Sequence, residues 1–134
     1  MKSVYIKAFG LVILSLFLMS CRSLTPINNI ENAPVLNLTG KKYTTEQVKT
    51  AIIRAGITRG WVIQEIKPGL LQGDINVRGK HNVTVEIPYN QESYSIIFKK
   101  SDLPQKSGKI HPKYNIWINN LNSDIRVQLT SLNL

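Results

Sequence analysis

The chain has 134 residues, of which 17 are lysine or arginine and 8 are aspartate or glutamate, so its formal charge is +9 at pH 7. A single cysteine excludes an internal disulfide framework, and this length permits no more than one folded domain of ordinary size. The positive balance favours anionic partners.

The first twenty residues have the charged, apolar and small-residue order that is typical of an export signal. Lys2 and Lys7 precede an apolar run over residues 8–19. These 12 residues are too few to span about 30 Å of hydrocarbon as a helix, which requires about 20. We therefore expect residues 1–20 to be a cleaved signal peptide.

The segment Leu18-Met19-Ser20-Cys21 ends this stretch and resembles the lipobox of bacterial lipoproteins. The resemblance implies that the Cys21 thiol carries a diacylglyceryl group and that cleavage makes Cys21 the new N-terminus. Two acyl chains anchor a protein stably, whereas one does so only marginally. Arg22 stands where an aspartate would suggest inner-membrane retention, so the pattern favours the outer membrane. The alternative is a free cysteine that ends an ordinary secretory signal.

Residues 21–43 are predicted to be the lipidated cysteine and a flexible tether. They contain Pro26, Pro34 and several asparagines, and no helical or alternating pattern is apparent. A tether of this length could reach roughly 70 Å when fully stretched. The folded domain would then work some distance from its own membrane.

The domain is predicted to occupy residues 44–134 and to begin with a helix over 45–56. Thr44 and Gln47 have the spacing of a capping box, and Gly56 provides a C-terminal stop. The apolar residues that share one face of this helix are Val48, Ala51, Ile52 and Ala55.

Four strands are predicted next, over residues 61–66, 71–77, 81–89 and 94–98. Alternating or continuous apolar residues define them, and the turn sequences Pro68-Gly69 and Gly79-Lys80 separate three of them. Sequential strands with short connections predict an antiparallel meander.

A second helix is predicted near the C-terminus, with Pro112 at its start. Tyr114, Trp117 and Ile118 begin an apolar stripe that continues to Leu132. The stripe is expected to be core, and an aromatic ligand groove is the alternative. The resulting fold class is α+β in the order α-β-β-β-β-α, with both helices packed on one face of a four-stranded antiparallel meander.

Several short sequences in this domain are similar to a family of small, functionally uncharacterised bacterial lipoproteins. They are Gly60-Trp61, Pro68-Gly69-Leu70, residues 81–89, Tyr94-Ser95-Ile96, Ile110-His111, Tyr114-Asn115, Trp117-Ile118 and Asn120-Leu121. The similarity extends over residues 44–132, and Ser101-Asp102-Leu103-Pro104 departs from the family pattern. The resemblance implies a lipoprotein of this fold and assigns no activity, because none is carried over from the family.

No pattern in the sequence predicts catalysis. The nucleophile-elbow and zinc-protease motifs are not found, and His81 and His111 are 30 residues apart without a cysteine or an acidic cluster beside either. We therefore predict no catalytic residues, no metal site and no cofactor.

Positive charge is predicted to gather at one end of the meander, because alternate strand ends meet there. The residues placed at that end are Arg59, Arg78, Lys80, Lys99 and Lys100, followed by Lys106 and Lys109 on the next loop. Asp102 is the only acid close to them in sequence. This end is a candidate anion-binding surface, and a solvated basic rim is the alternative.

The sequence thus predicts a membrane-anchored, extracytoplasmic lipoprotein that acts as a non-enzymatic binding or envelope-assembly module. Its expected partners are the membrane itself, an envelope protein, anionic lipid or an acidic cell-wall polymer. Nucleic acid is not expected in that compartment. The alternatives are a periplasmic inhibitor or scavenger of a small envelope target and an enzyme of unrecognised type.

Overall fold

A computed structural model of the protein describes residues 23–132. It contains two helices, α1 (Thr45–Thr58) and α2 (Lys113–Ser131). The strands are β1 (Thr25–Pro26), β2 (Ile30–Pro34), β3 (Val62–Lys67), β4 (Leu70–Val77), β5 (His81–Pro88), β6 (Ser93–Ser101), β7 (Gln105–Lys106) and β8 (Lys109–Ile110). Within residues 23–132, neither helix combines the length and the hydropathy needed to cross a membrane.

The main sheet contains the predicted run of sequential antiparallel strands, β3 to β6, and one strand more. Its order is β2-β6-β5-β4-β3, so β2 forms a fifth strand at the edge next to β6. A separate three-stranded sheet has the order β1-β8-β7. The α+β class is therefore as predicted, whereas a four-stranded meander understates the sheet structure.

The segment predicted to be a flexible tether over 21–43 contains β1 and β2, so residues 25–34 belong to the folded domain. Apolar alternation is hidden in β2 because the register shifts between Ile30 and Ala33, where Asn32 has a φ of 50°. Both Ile30 and Ala33 pack against the core. The predicted signal peptide and Cys21 lie outside the described residues.

Helix α1 begins as its sequence predicts. The Thr44 hydroxyl accepts a hydrogen bond from the Gln47 amide at 3.1 Å, and the Gln47 side chain accepts one from the Thr44 amide at 2.9 Å. The helix continues to Thr58 and is capped at Arg59, so Gly56 lies inside it and is not the predicted stop.

Helix α2 packs antiparallel to β6. The ring centroids of Tyr114 and Phe98 are 5.3 Å apart, and the Tyr94 hydroxyl donates to Asn122 Oδ1 at 2.5 Å. Tyr114 is fully buried and Trp117 partly buried, so the stripe that begins at Tyr114 contributes to the core rather than to a groove. The other core residues of α2 are Ile118, Leu121, Ile125 and Leu129.

Candidate functional site

Four segments meet at one end of the fold. The turn between β4 and β5 lies there, since Val77 pairs with His81, and the end of β6 lies beside it, since Asp102 bonds to Asn82. Helix α2 runs antiparallel to β6, so its first residue, Lys113, is at the same end. The β7–β8 hairpin connects β6 to this helix. We call this region the basic end.

Three of the five predicted anion-binding residues are exposed at the basic end without an ion pair. Arg78 and Lys80 lie in the β4–β5 turn, where Arg78 has a φ of 56°. Lys100 lies near the end of β6, opposite Thr84 on β5. Within residues 23–132 no carboxylate forms an ion pair with these three side chains.

The other two predicted residues have their charge compensated. Arg59 Nε is 2.7 Å from Asp124 Oδ2 on α2, and this hydrogen bond and charge raise the pKa of the Arg59 guanidinium. Lys99 Nζ is 3.3 Å from Glu86 Oε1 and also donates to Gln72 at 3.2 Å. Arg59 is the C-cap of α1 and Lys99 lies in β6. The acidic partners of both residues were not predicted.

Asp102 serves as a structural acceptor at the basic end. The Asn82 backbone amide donates to Asp102 Oδ1 at 2.8 Å, and the Asn82 side-chain amide donates to Oδ2 at 2.9 Å. The backbone bond is the main reason why the pKa of the Asp102 carboxyl is lowered. These residues line an open cavity of about 260 Å³ together with Thr84, Lys100 and Ser101.

Three further lysines belong to the basic end. Lys106 and Lys109 flank a two-residue turn in which Ser107 and Gly108 have φ values of 53° and 76°. Both lysines and Lys113 are exposed. The Ser-Gly pair is typical of a hairpin turn, and this hairpin was not predicted. Lys113 was not among the predicted residues, since its place depends on how α2 packs.

The N-terminal segment is bound to the basic end. Thr25 pairs with Ile110, and the Ile27 amide donates to the Gly108 carbonyl at 3.0 Å. The Asn115 side chain donates to the Pro26 carbonyl at 2.9 Å and accepts from the Asn28 amide at 3.0 Å. The first strand of the domain is therefore held against β8 and the start of α2.

The two histidines occupy separate positions at this end. His111 Nδ1 accepts a hydrogen bond at 3.1 Å from the amide of Lys113, the first residue of α2. His81 is the first residue of β5, and its charge contributes to the lowered pKa of Asp102. Residues 23–132 hold no group of three or more histidine, cysteine or acidic side chains that could bind a metal.

The outer face of the sheet has its own polar network. The Thr84 hydroxyl donates to Asp74 Oδ1 at 2.5 Å, and the Gln72 amide donates to Asp74 Oδ2 at 3.1 Å. Thr84 is buried with a relative exposure of 5%. The Asp74 carboxylate is therefore engaged in joining β4 to β5.

An apolar groove of about 480 Å³ lies away from the basic end, between the end of β2 and the last turns of α2. Leu36 and Val127 line it and are 58% and 64% exposed. Arg126 is the charged residue in its lining. This groove and the basic end are thus distinct surfaces, one apolar and one positively charged.

Comparison with known proteins identified no relative of this chain. No family model, no curated protein and no solved structure matches the chain.

Proposed function

We propose that the protein is a lipoprotein, lipidated on Cys21 and held outside the cytoplasm, and that it acts as a non-enzymatic binding or envelope-assembly module. The observation that carries the proposal is the segment Leu18-Met19-Ser20-Cys21, which contains the only cysteine of the chain and follows an apolar run. Anchoring by two acyl chains requires no spanning helix. The outer membrane is the proposed location.

We propose further that the basic end binds anionic components of the envelope. This is supported by the exposed charges of Arg78, Lys80 and Lys100, which have no ion-pair partner among residues 23–132, since clustered like charges raise the local concentration of an opposite charge. The acidic residues near these cations already have other partners, which also fits an anion-binding surface. Asp102 is engaged with Asn82, and Asp124 with Arg59.

The anchor is tested by labelling cells with radioactive palmitate and comparing the natural chain with Cys21→Ala. The natural chain should incorporate label, partition into detergent and sediment with outer membranes. The variant should lose all three properties. A natural chain that is exported without label would contradict the proposed lipidation.

Anion binding is tested with the mature Cys21→Ala chain and vesicles that contain phosphatidylglycerol. Replacing Arg78 and Lys80 with glutamate should abolish cosedimentation that is sensitive to salt. The control replaces Lys41 and Lys67, which are exposed outside the basic end, with glutamate. It makes the same change in net charge and should retain binding. Equal loss in both double variants would show that net charge, not the basic end, determines the binding.

A further inference from the structure

The connection between the proposed anchor and the domain is short. Strand β1 begins at Thr25, whose backbone pairs with Ile110 and whose hydroxyl donates to the Ile110 carbonyl at 3.3 Å. Four residue steps separate Cys21 from Thr25, and they span at most about 14 Å when fully extended. This is about one fifth of the reach expected for a tether that extends to residue 43.

The anchored strand also lies at the basic end. Its partner β8 contains Lys109, and the Asn115 side chain that holds Pro26 is on the first turn of α2, close to Lys113. The exposed cations of this end are Arg78, Lys80, Lys100, Lys106, Lys109 and Lys113. Within the described part of the chain none of the six forms an ion pair.

Two lysines near the start of α1 differ in this respect. Lys42 is 3.5 Å from Glu92, and Lys49 is 3.0 Å from Glu46 and 2.9 Å from Glu65. Ten lysines and arginines of residues 23–132 form no ion pair, and six of them lie at the basic end, where β1 begins. The other four are Lys41, Arg54, Lys67 and Arg126.

We infer that the basic end is a membrane-facing surface whose partner is the anionic headgroup layer of the bilayer that holds the Cys21 lipid. The inference rests on the proposed lipidation. A linker of at most about 14 Å holds this end within reach of the interface, where exposed charges interact over a Debye length of about 8 Å. The anchor and the lysines act together, since an acyl anchor and a basic patch reinforce each other.

The orientation is tested with the complete mature lipoprotein reconstituted in vesicles of two compositions. One contains only phosphatidylcholine, and the other contains phosphatidylglycerol as well. Lysines are acetylated briefly, and mass spectrometry gives the rate at each position. Lys106, Lys109 and Lys113 should react at least about threefold more slowly in the anionic vesicles. Lys41 and Lys67 should react equally in both. High salt should remove the difference.

The matched variant replaces Lys106 and Lys109 with glutamate and keeps Cys21 and the whole linker. Protection of Lys113 should then be lost while the protein remains in the vesicle fraction. Circular dichroism of both proteins establishes that the fold is retained.

The two proposals fail in different ways. An intact mass without the diacylglyceryl group would overturn the lipidation and with it this inference. A lipidated protein whose lysines react equally in both vesicles would overturn the inference alone. Protection that appears only after a soluble acidic wall polymer is added would also overturn it, because the surface would then bind that polymer.

Discussion

Asp102 accepts hydrogen bonds from both amides of Asn82, the backbone amide at 2.8 Å and the side-chain amide at 2.9 Å. The Ser101 hydroxyl adds a bond to the Asn82 carbonyl at 2.8 Å. These contacts join the end of β6 to the start of β5 beside the cations of the basic end. The local carboxylate thus stabilises the strand ends that position Lys80 and Lys100.

Asp102→Asn should lower the stability of the domain at neutral pH, because an amide oxygen accepts these bonds less well than a carboxylate. The pKa of Asp102 is lowered on folding. Its contribution is therefore complete above the unfolded value of about 4 and is lost as pH falls through the lower, folded value.

Urea unfolding of the natural chain and Asp102→Asn at pH 7, 5 and 3 measures this dependence. The difference in midpoint should be largest at pH 7 and 5 and should narrow at pH 3. Glu31→Gln is the control, since Glu31 is exposed and makes no ion pair within residues 23–132. A difference that does not vary with pH would contradict this role of the carboxylate.

The two helices and strands β3 to β6 were predictable from the sequence, because each depends on local pattern, whereas β1, β2, β7 and β8 were not predicted. The capping box at Thr44 and Gln47 and the alternation of β4 and β5 operate over a few residues. Strand β2 was missed because its pairing with β6 joins residues 59 to 66 positions apart, and a bulge at Asn32 interrupts its alternation.

The candidate site was also only partly predictable from the sequence. Strand alternation is sufficient to place Arg78, Lys80 and Lys100 at one end. It does not reveal that Asp124, on a helix 65 residues away, compensates Arg59. It also does not place the N-terminal segment beside these charges, since that depends on long-range pairing of β1 with β8 and on hydrogen bonds from the Asn115 side chain.

Gly56 is required by packing rather than by a helix stop. A Cβ atom there would lie 2.5 Å from Ile63 Cδ1 and 2.7 Å from Ile63 Cγ1. Gly56→Ala should therefore destabilise the domain by about 1 to 3 kcal/mol, although alanine favours a helix by about 1 kcal/mol.

A double-mutant cycle with Ile63→Ala separates these two effects. In the Ile63→Ala background the added methyl group has room, and Gly56→Ala should become neutral or stabilising. Denaturant midpoints of the four proteins should give a coupling energy above about 1 kcal/mol. Additive effects would show that Gly56 and Ile63 do not compete for space.

Loss of the hydroxyl group should lower the stability of the domain at one buried tyrosine and not at another. Tyr94 donates to Asn122 at 2.5 Å, so Tyr94→Phe should cost about 1 kcal/mol of stability. The Tyr114 hydroxyl is buried and has no hydrogen-bond partner among residues 23–132. Tyr114→Phe should be neutral or stabilising, and urea unfolding at pH 7 compares the two. A loss at Tyr114 equal to that at Tyr94 would contradict the assignment.

The same tyrosines should make the domain sensitive to alkali. Burial raises the pKa of Tyr94 to about 12 and also raises that of Tyr114. Unfolded tyrosine ionises near 10, so the folded chain retains protons that the unfolded chain loses, and stability should fall as pH rises above about 10. Replacing both residues with phenylalanine should flatten the dependence of the urea midpoint on pH between 9 and 11. An unchanged slope would assign the alkaline sensitivity to other groups.

Asn115 should determine how firmly the N-terminal segment is held. Its side chain bonds to the Pro26 carbonyl and the Asn28 amide, while the nearby Ile27 amide bonds to Gly108. Asn115→Ala leaves these backbone groups without their side-chain partner, so residues 25–28 should detach more often. Hydrogen exchange of a peptide covering 23–30 should accelerate, with little change in β4 and β5. Asn120→Ala is the control on the same helix and should leave that exchange unchanged.

If the segment is released, the distance available between Cys21 and the domain increases, and the lysine protection in anionic vesicles should weaken with it. Retained protection together with faster exchange would mean that the basic end holds the domain on the bilayer without help from the short linker.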